Sequence, residues 1–327
     1  MKAVVFDKPG GPDVMHIGQA PLPDVGERDI LVRIHAAGVN RADILQRKGF
    51  YPPPPGASPI IGLEMAGEVE RTGPACRRWN TGDRVFAILP GGGYAQYVSV
   101  DERLAMGIPK GFDFSDAAAV GEVFLTAFQA LYWLGEFQTG ERALIHAGAS
   151  GVGTAAIQLV KADSGTALIT AGSDEKLAAC RNLGADTVVH YRHEDFREKV
   201  LEATGGEGAD VIIDVVGADY FHKNIECLAM DGRLVILALM GGKKIDTFDL
   251  SWLMRKRLKI IGSTLRSRSL DYRIALTRAF SKRYLARFES GELKPVIDRV
   301  LSWERVQEAH SAMEGNVNIG KIVLRVS

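Results

Sequence analysis

Cysteine is scarce in this chain. Cys76, Cys180 and Cys227 are the only three in 327 residues, and no CxxC pair exists. Neither a zinc knuckle nor a disulfide framework is encoded, and the usage suits a reducing compartment. Net charge is absent too: 40 basic and 40 acidic side chains cancel, with a pI near 7.1. Without a general field the chain has little to draw in nucleic acid or anionic lipid. No apolar run approaches the ~20 residues needed to cross a bilayer. The opening MKAVVFDKPG reaches Asp7 after a short apolar stretch with no cleavage-type site, so no signal peptide is expected. These absences predict a soluble, cytoplasmic protein.

Glycine, by contrast, is in excess: 36 residues of 327, where average usage of about 7% would give roughly 23. Glycine lets backbone approach backbone or ligand, so tight turns and close contacts are expected. Hydrophobic residues at 46% and charged residues at 24% describe an ordinary globular core and surface, which excludes disorder, collagen and coiled coil. The length predicts roughly two domains.

β-Branched and aromatic runs predict strands at 2–6, 30–36, 65–72, 84–89 and 94–100. Glycine and proline clusters punctuate them, including the only low-complexity piece, Pro52-Pro53-Pro54-Pro55. Short strands at this spacing suggest a small barrel-like β domain. Ser115-Asp116 then reads as the cap of one long helix over 117–134. Beyond Arg142 the pattern changes. Apolar strands at 143–147, 167–171, 187–190, 211–216, 234–239 and 259–262 alternate with helical stretches, which predicts a parallel, doubly wound sheet. A long polar helix over 270–290 follows, then a strand at 296–301, a helix at 303–313 and a strand at 321–326. That tail is expected to complete the first domain. No internal repeat is visible.

The strongest chemical signal is Leu144-Ile-His-Ala-Gly148-Ala-Ser150-Gly151-Val-Gly153, a buried strand running through a glycine-rich turn into a helix. Such a turn sets bare N–H groups and a helix N-terminus against a pyrophosphate. An NAD site would add an acid at the end of the second strand. Here that strand ends Ala171-Gly172-Ser173, and Asp174 and Glu175 are better placed in the first turn of the next helix with Ser173 as N-cap. Lys176 lies one turn in, where its charge would meet a 2′-phosphate, and Tyr191 would add a hydroxyl. NADPH is the expected cofactor. Tyr51, on its four-proline stem, would be a stiff platform for a planar ligand. His190 and His193 do not make a metal pair at a strand end. The run Arg255-Lys256-Arg257-Leu258-Lys259 is expected to be a solvated face, not a nucleic-acid contact.

Asn40-Arg-Ala-Asp43, Pro53-Pro-Pro-Gly-Ala-Ser58, Ser150-Gly-Val-Gly-Thr-Ala-Ala-Ile-Gln-Leu159 and Asn318-Ile-Gly-Lys-Ile-Val323 resemble the medium-chain dehydrogenase/reductase superfamily over essentially the whole chain. Within it they are most similar to zeta-crystallin-like quinone oxidoreductases, in particular the tumour-suppressor-inducible branch and its bacterial relatives. The resemblance implies an α/β fold: a GroES-like β-rich domain, 1–119 and 267–327, plus a Rossmann domain, 120–266, with a doubly wound six-stranded parallel sheet. Zinc alcohol dehydrogenases of the superfamily carry cysteine where this chain has Asn40, and Gly-His-Glu where it has Gly62-Leu63-Glu64. Asn and Leu supply no thiolate or imidazole, so no metal is expected.

By the same resemblance the chain is an NADPH-dependent, zinc-free reductase that passes hydride to a quinone in the interdomain cleft. Asn40, Tyr51 and Thr126 would line the nicotinamide and quinone, with Tyr51 and Asn40 as catalytic groups. Ser150, Gly151 and Val152 would hold the pyrophosphate, and Gly172, Ser173, Lys176 and Tyr191 the 2′-phosphate. Leu239, Met240, Gly241, Leu265, Arg266 and Asn318 would close over the cofactor. A homodimer or tetramer is expected, formed through the strand edge at 259–262, with a small-molecule quinone as partner and neither membrane nor nucleic acid. The rival activities are reduction of activated alkenes (enones, alkenals, enoyl thioesters) and a non-catalytic NADPH- or RNA-binding role.

Overall fold

In the computed structural model, which describes residues 1–326, a short antiparallel pair leads off: β1 (Lys2–Val5) and β2 (His16–Gln19). The eleven-residue β3 (Asp29–Val39) follows, then helix α1 (Arg41–Arg47) and strands β4 (Glu64–Thr72), β5 (Arg84–Ile88), β6 (Tyr97–Asp101) and β7 (Met106–Gly107). Two helices come next, α2 (Phe114–Ala118) and α3 (Gly121–Phe128). Contacts divide the chain into two units, Met1–Leu125 with the segment from Leu265 onward, and Thr126–Thr264.

The second unit alternates strand and helix: β8 (Arg142–Ile145), α4 (Gly151–Ala162), β9 (Thr166–Ala171), α5 (Asp174–Asn182), β10 (Thr187–His190), α6 (Phe196–Ala203), β11 (Ala209–Asp214), α7 (Ala218–Cys227), β12 (Leu228–Ile236), α8 (Ser251–Lys256) and β13 (Lys259–Gly262). Its six strands are all parallel, in the order β10-β9-β8-β11-β12-β13. The order reverses beside β8, the place where doubly wound sheets bind ligands. Leu144, Leu168, Ile212 and Leu234 are fully buried, as strands covered on both faces require.

The first unit resumes with α9 (Leu270–Glu289), β14 (Ile297–Ser302), α10 (Val306–Glu314) and β15 (Lys321–Arg325). β15 pairs antiparallel with β3, extending one sheet through β14-β15-β3-β4-β5-β7 while β6 also pairs β3. Met15, Ile30, Val32, Met65, Val85 and Trp303 fill its core.

Several elements depart from expectation. The single helix over 117–134 is two helices and a wider turn. Asp113, not Ser115 or Asp116, caps α2 by accepting from Asp116 N–H at 2.8 Å. The chain breaks before Gly121, where the buried Glu64 carboxylate accepts Glu122 N–H at 2.8 Å and so caps α3. Residues Gln129–Leu134 form a π-helical turn, closed by Gly135 N–H to Ala130 O at 2.9 Å. β12 begins at Leu228 and stops at Ile236, short of 239, its last ladder bond running from Leu237 N–H to Asp214 O at 2.7 Å. Helix α1 went unforeseen although Asn40 and Asp43 carry its start: Asp43 accepts Asn40 N–H at 2.8 Å.

Candidate active site

In the second unit the site is made by backbone. After β8 the chain turns through Ala147, held at φ 53°, and Gly148 N–H donates to Thr170 O at 2.9 Å. Ser150 caps α4, its Oγ accepting Gly153 N–H at 3.1 Å, so Gly151 and Val152 form the first turn with N–H groups that no helical carbonyl reaches. A Cβ on Gly153 would meet the carbonyl oxygens of Ala147 and Gly148 at 2.5 Å. Only glycine lets the helix start sit this close to the turn.

At the end of β9, Ser173 caps α5 with its Oγ on Lys176 N–H at 3.4 Å, and Asp174 and Glu175 fall in the first turn. A Cβ on Gly172 would lie 2.7 Å from the Tyr191 hydroxyl. Gly172, Ser173, Lys176 and Tyr191 are therefore gathered round one strand end. Arg192, which sequence reasoning passed over, adds a second cation there, its guanidinium 5.9 Å from the Tyr191 ring centre.

Beneath these turns runs a buried polar thread. His146 Nδ1 lies 3.1 Å from Thr170 Oγ1, and Nε2 lies 2.7 Å from Asn224 Oδ1. Asn224 Oδ1 accepts, so the proton sits on Nε2 and the Thr170 hydroxyl donates to Nδ1. Asn224 Nδ2 donates to Asp214 at 3.2 Å, and Asp214 accepts Val216 N–H at 2.6 Å and Gly217 N–H at 3.1 Å. Burial lowers the His146 pKa to about 4 and raises that of Asp214 to about 6. The thread ties the glycine-rich turn to the turn after β11. Leu239, Met240 and Gly241 pack on that second turn: Met240 and Gly241 N–H donate to Val215 and Val216 O at 3.2 and 2.7 Å. Thr126, buried in α3, starts this unit. The basic run at 255–259 is largely consumed locally: Arg257 pairs with Asp231 at 2.6 Å, Lys259 with Glu136 at 2.7 Å, and Lys256 donates to Leu228 O at 2.6 Å.

In the first unit the site is made by side chains. Asn40 Nδ2 donates to Glu64 Oε1 at 2.9 Å, and Lys321 Nζ donates to Asn40 Oδ1 and to Glu64 Oε1, each at 2.6 Å. Lys321 is 3% and Glu64 1% exposed, a fully desolvated ion pair. Next to it Asp43 accepts from Asn40 N–H, Gly62 N–H at 3.2 Å and the Tyr94 hydroxyl at 3.1 Å. Burial raises its pKa to about 7, against the pull of those donors and of Lys321. Sequence reasoning named Asn40 but neither Lys321 nor Glu64 as its partners.

Tyr51 lies elsewhere in this unit. Its ring meets the Arg266 guanidinium at 5.2 Å, and burial raises its pKa while Arg266 opposes the rise. Arg266 donates to Pro90 O at 2.7 Å, Tyr51 O at 3.3 Å and Gln46 Oε1 at 2.7 Å. Leu265 is half-buried and Asn318 donates to Gly320 O at 2.7 Å. In the first unit the predicted residues thus fall into separate places, Asn40 with Lys321 and Glu64, and Tyr51 with Arg266.

The residues of the second unit fit a phosphorylated dinucleotide: a helix start that a Cβ would obstruct, and a strand end with cations and no carboxylate on Gly172 or Ser173. Zinc does not fit at Asn40. Asn40 and Leu63 offer no thiolate or imidazole, the Glu64 carboxylate is already paired with Lys321, and no three His, Cys, Asp or Glu side chains gather among the described residues.

Residues 151–281 match the zinc-binding dehydrogenase family and residues 26–110 the alcohol dehydrogenase GroES-like domain. The human quinone oxidoreductase is 31% identical over 327 residues, covering 99% of this chain and 97% of its own. An NAD-dependent alcohol dehydrogenase structure superposes with a TM-score of 0.88 at 33% identity, covering 100% of both chains. The Escherichia coli quinone oxidoreductase complexed with NADPH gives 0.88 at 29%, covering 99% of this chain and 100% of its own. The JamJ enoyl reductase gives 0.88 at 25%, covering 100% and 99%.

Proposed function

The chain belongs to the medium-chain dehydrogenase/reductase superfamily, and from that premise we propose that it is a zinc-independent, NADPH-dependent quinone reductase of the cytoplasm. The observation that carries this reading is the Asn40–Glu64–Lys321 cluster. Oxidising an alcohol calls for a Lewis acid, whereas a quinone is already electrophilic. A cluster whose carboxylate is already neutralised by a buried lysine and that offers no thiolate or imidazole suits the second substrate better than the first. Whole-chain similarity to named quinone oxidoreductases supports the same choice.

Bound to the second unit, the reduced nicotinamide supplies the hydride. Ser150, Gly151 and Val152 hold its pyrophosphate by N–H groups and the α4 dipole. Gly172 gives room to a 2′-phosphate, and Ser173, Lys176 and Tyr191 contact it. On the same unit Thr126, Leu239, Met240 and Gly241 would line the rest of the cofactor's site. Asn40, its amide oriented from both ends by Lys321 and Glu64, would present a fixed polar group to the quinone. Tyr51, like any tyrosine near its ordinary pKa of about 10, keeps its phenolic proton at neutral pH, burial pushing the pKa further up, and would donate a hydrogen bond to the quinone oxygen. Catalysis is then mostly positioning and exclusion of water. β13, at the end of the six-stranded order, is the edge through which two copies pair into a homodimer.

The test is a panel of quinones and enones with both cofactors. NADPH with a quinone should give the highest kcat/KM, unchanged after dialysis against a chelator, and Tyr51→Ala should lower it without weakening NADPH binding. An enone reduced faster than any quinone would make the chain an alkene reductase. Tight NADPH binding without turnover would make it a binding protein.

A further inference from the structure

We propose that the acceptor carries an anionic group, a carboxylate, sulfonate or phosphate, seated in an arginine-lined cleft of the first unit. This rests on the acceptor-reductase reading above and adds a substrate class to it. The cleft has a volume of about 310 Å³ and is walled by Pro54, Pro55 and Pro90 together with Arg266, Arg268 and Arg273. No acidic residue lines it. Three formal positive charges thus face one concavity with no counter-charge of their own, an arrangement that self-repulsion disfavours in a half-buried place.

The three arginines differ in how far the chain satisfies them. Arg266 is fixed by its bonds to Pro90, Tyr51 and Gln46, and its guanidinium lies over the Tyr51 ring. It is the common wall between the cleft and the proposed catalytic phenol. Arg268 stacks at 4.6 Å on Tyr272 and has no carboxylate within ion-pair distance among the described residues. Arg273 has an Nε shut off from solvent with no hydrogen-bond partner. The acid that acts on it most, Asp101, is engaged by Arg103 at 2.7 Å. A guanidinium fork matches a planar or tetrahedral oxyanion bidentately. An oxyanion in the cleft would offset the clustered charge, while the Nε of Arg273, closed to solvent, stays out of its reach. The rigid proline wall leaves its position beside Tyr51 little freedom. Dinucleotide phosphates are provided for in the other unit, by the α4 turn and Lys176, so the anion here belongs to the acceptor.

The experiment compares a naphthoquinone sulfonate with the same naphthoquinone bearing methyl in place of sulfonate, with NADPH as donor. The wild-type ratio of kcat/KM should favour the sulfonate, and Arg268→Met and Arg273→Met should each reduce that ratio about tenfold, the size of one charge-assisted hydrogen bond. Arg273→Lys, which keeps the charge but not the fork, should fall between. Equal loss on both quinones, or a matching rise in the KM for NADPH, would overturn the proposal by making the arginines structural or giving them to the cofactor. Naphthalene sulfonate, which accepts no hydride, separates the cleft from the reaction. If calorimetry finds it bound and the binding lost in both Met variants, the anion site stands even where no quinone is reduced. Binding that the variants leave unchanged overturns the site even where quinones are reduced.

Discussion

The two units build their groups of candidate residues by opposite means. In the second, the ligand-facing groups are backbone N–H groups in turns between neighbouring elements, and the side chains that matter are caps a few residues away: Ser150 on Gly153, Ser173 on Lys176. In the first, the groups are side chains brought together from positions 257 and 281 residues apart, Lys321 on Glu64 and on Asn40. Strand pairing does the work. Ile322 stands opposite Val39 across β15 and β3, so the residues next to each, Lys321 and Asn40, are brought together. The difference decides what fails when a residue is lost: a local contact in one unit, a desolvated charge balance in the other.

The sharpest way to break that contrast is Lys321→Met. It leaves the Glu64 carboxylate at 1% exposure without its cation, and removing one partner of a buried pair costs about 3–5 kcal/mol. Urea denaturation should show a loss of that size, and Glu64→Gln added to Lys321→Met should recover most of it. A loss below about 1 kcal/mol would mean that water or another cation already compensates Glu64.

A smaller effect is expected from the thread in the second unit. Burial holds His146 at a pKa of about 4, against about 6.5 when unfolded. The sign follows from linkage: above pH 6.5 neither state is protonated, and as pH falls the unfolded state takes up the proton first, so stability is lost down to about pH 4. Asp214, raised to about 6, works the other way over nearly the same range, so the wild-type slope is shallow. His146→Asn removes only the histidine arm. Its destabilisation relative to wild type should therefore shrink by about 2 kcal/mol between about pH 7.5 and pH 5. A difference that stays constant with pH would place the His146 proton in both states alike.

The same contrast explains what could be read in advance. The parallel sheet, the glycine-rich turn and the acids at the start of α5 were legible because each depends on a pattern a few residues long: apolar runs, bare backbone, a serine cap. Lys321 and Glu64 were not, since a lysine near the end of the chain reads as solvated until β15 is placed against β3. The long helix over 117–134 was misread for a related reason. Its break is stabilised by Glu64, some sixty residues earlier, and within the stretch only Gly121 marks it, a residue that many helices tolerate. Arg192 was overlooked because a surface arginine after a strand has no local signature, and only the Tyr191 ring shows what it stands beside.

The smallest expected effect concerns the choice of dinucleotide, where the site is again local. Ser173 and the first turn of α5 fix the backbone of Lys176, while Asp174 and Glu175 stand exposed on the same turn. A 2′-phosphate at Gly172 would meet a lysine, two hydroxyls and the α5 N-terminus, with Arg192 beyond the Tyr191 ring. The two acids oppose it only if they turn toward the ribose, and at the exposed start of a helix they already interact favourably with the dipole. One charge-assisted contact is worth about 1.5–3 kcal/mol, and exposure reduces it toward the lower end, so Lys176→Ala should cut the NADPH-to-NADH ratio of kcat/KM about tenfold. Arg192→Ala should cut it less, because its charge stands farther out and is screened by salt. The measurement is that ratio for both variants beside wild type, with cofactor affinity followed by fluorescence. NADH as the better wild-type donor would reject the phosphate site altogether. NADPH preferred equally by wild type and Lys176→Ala would move the selectivity to Arg192 and the helix terminus, which a double variant would then remove.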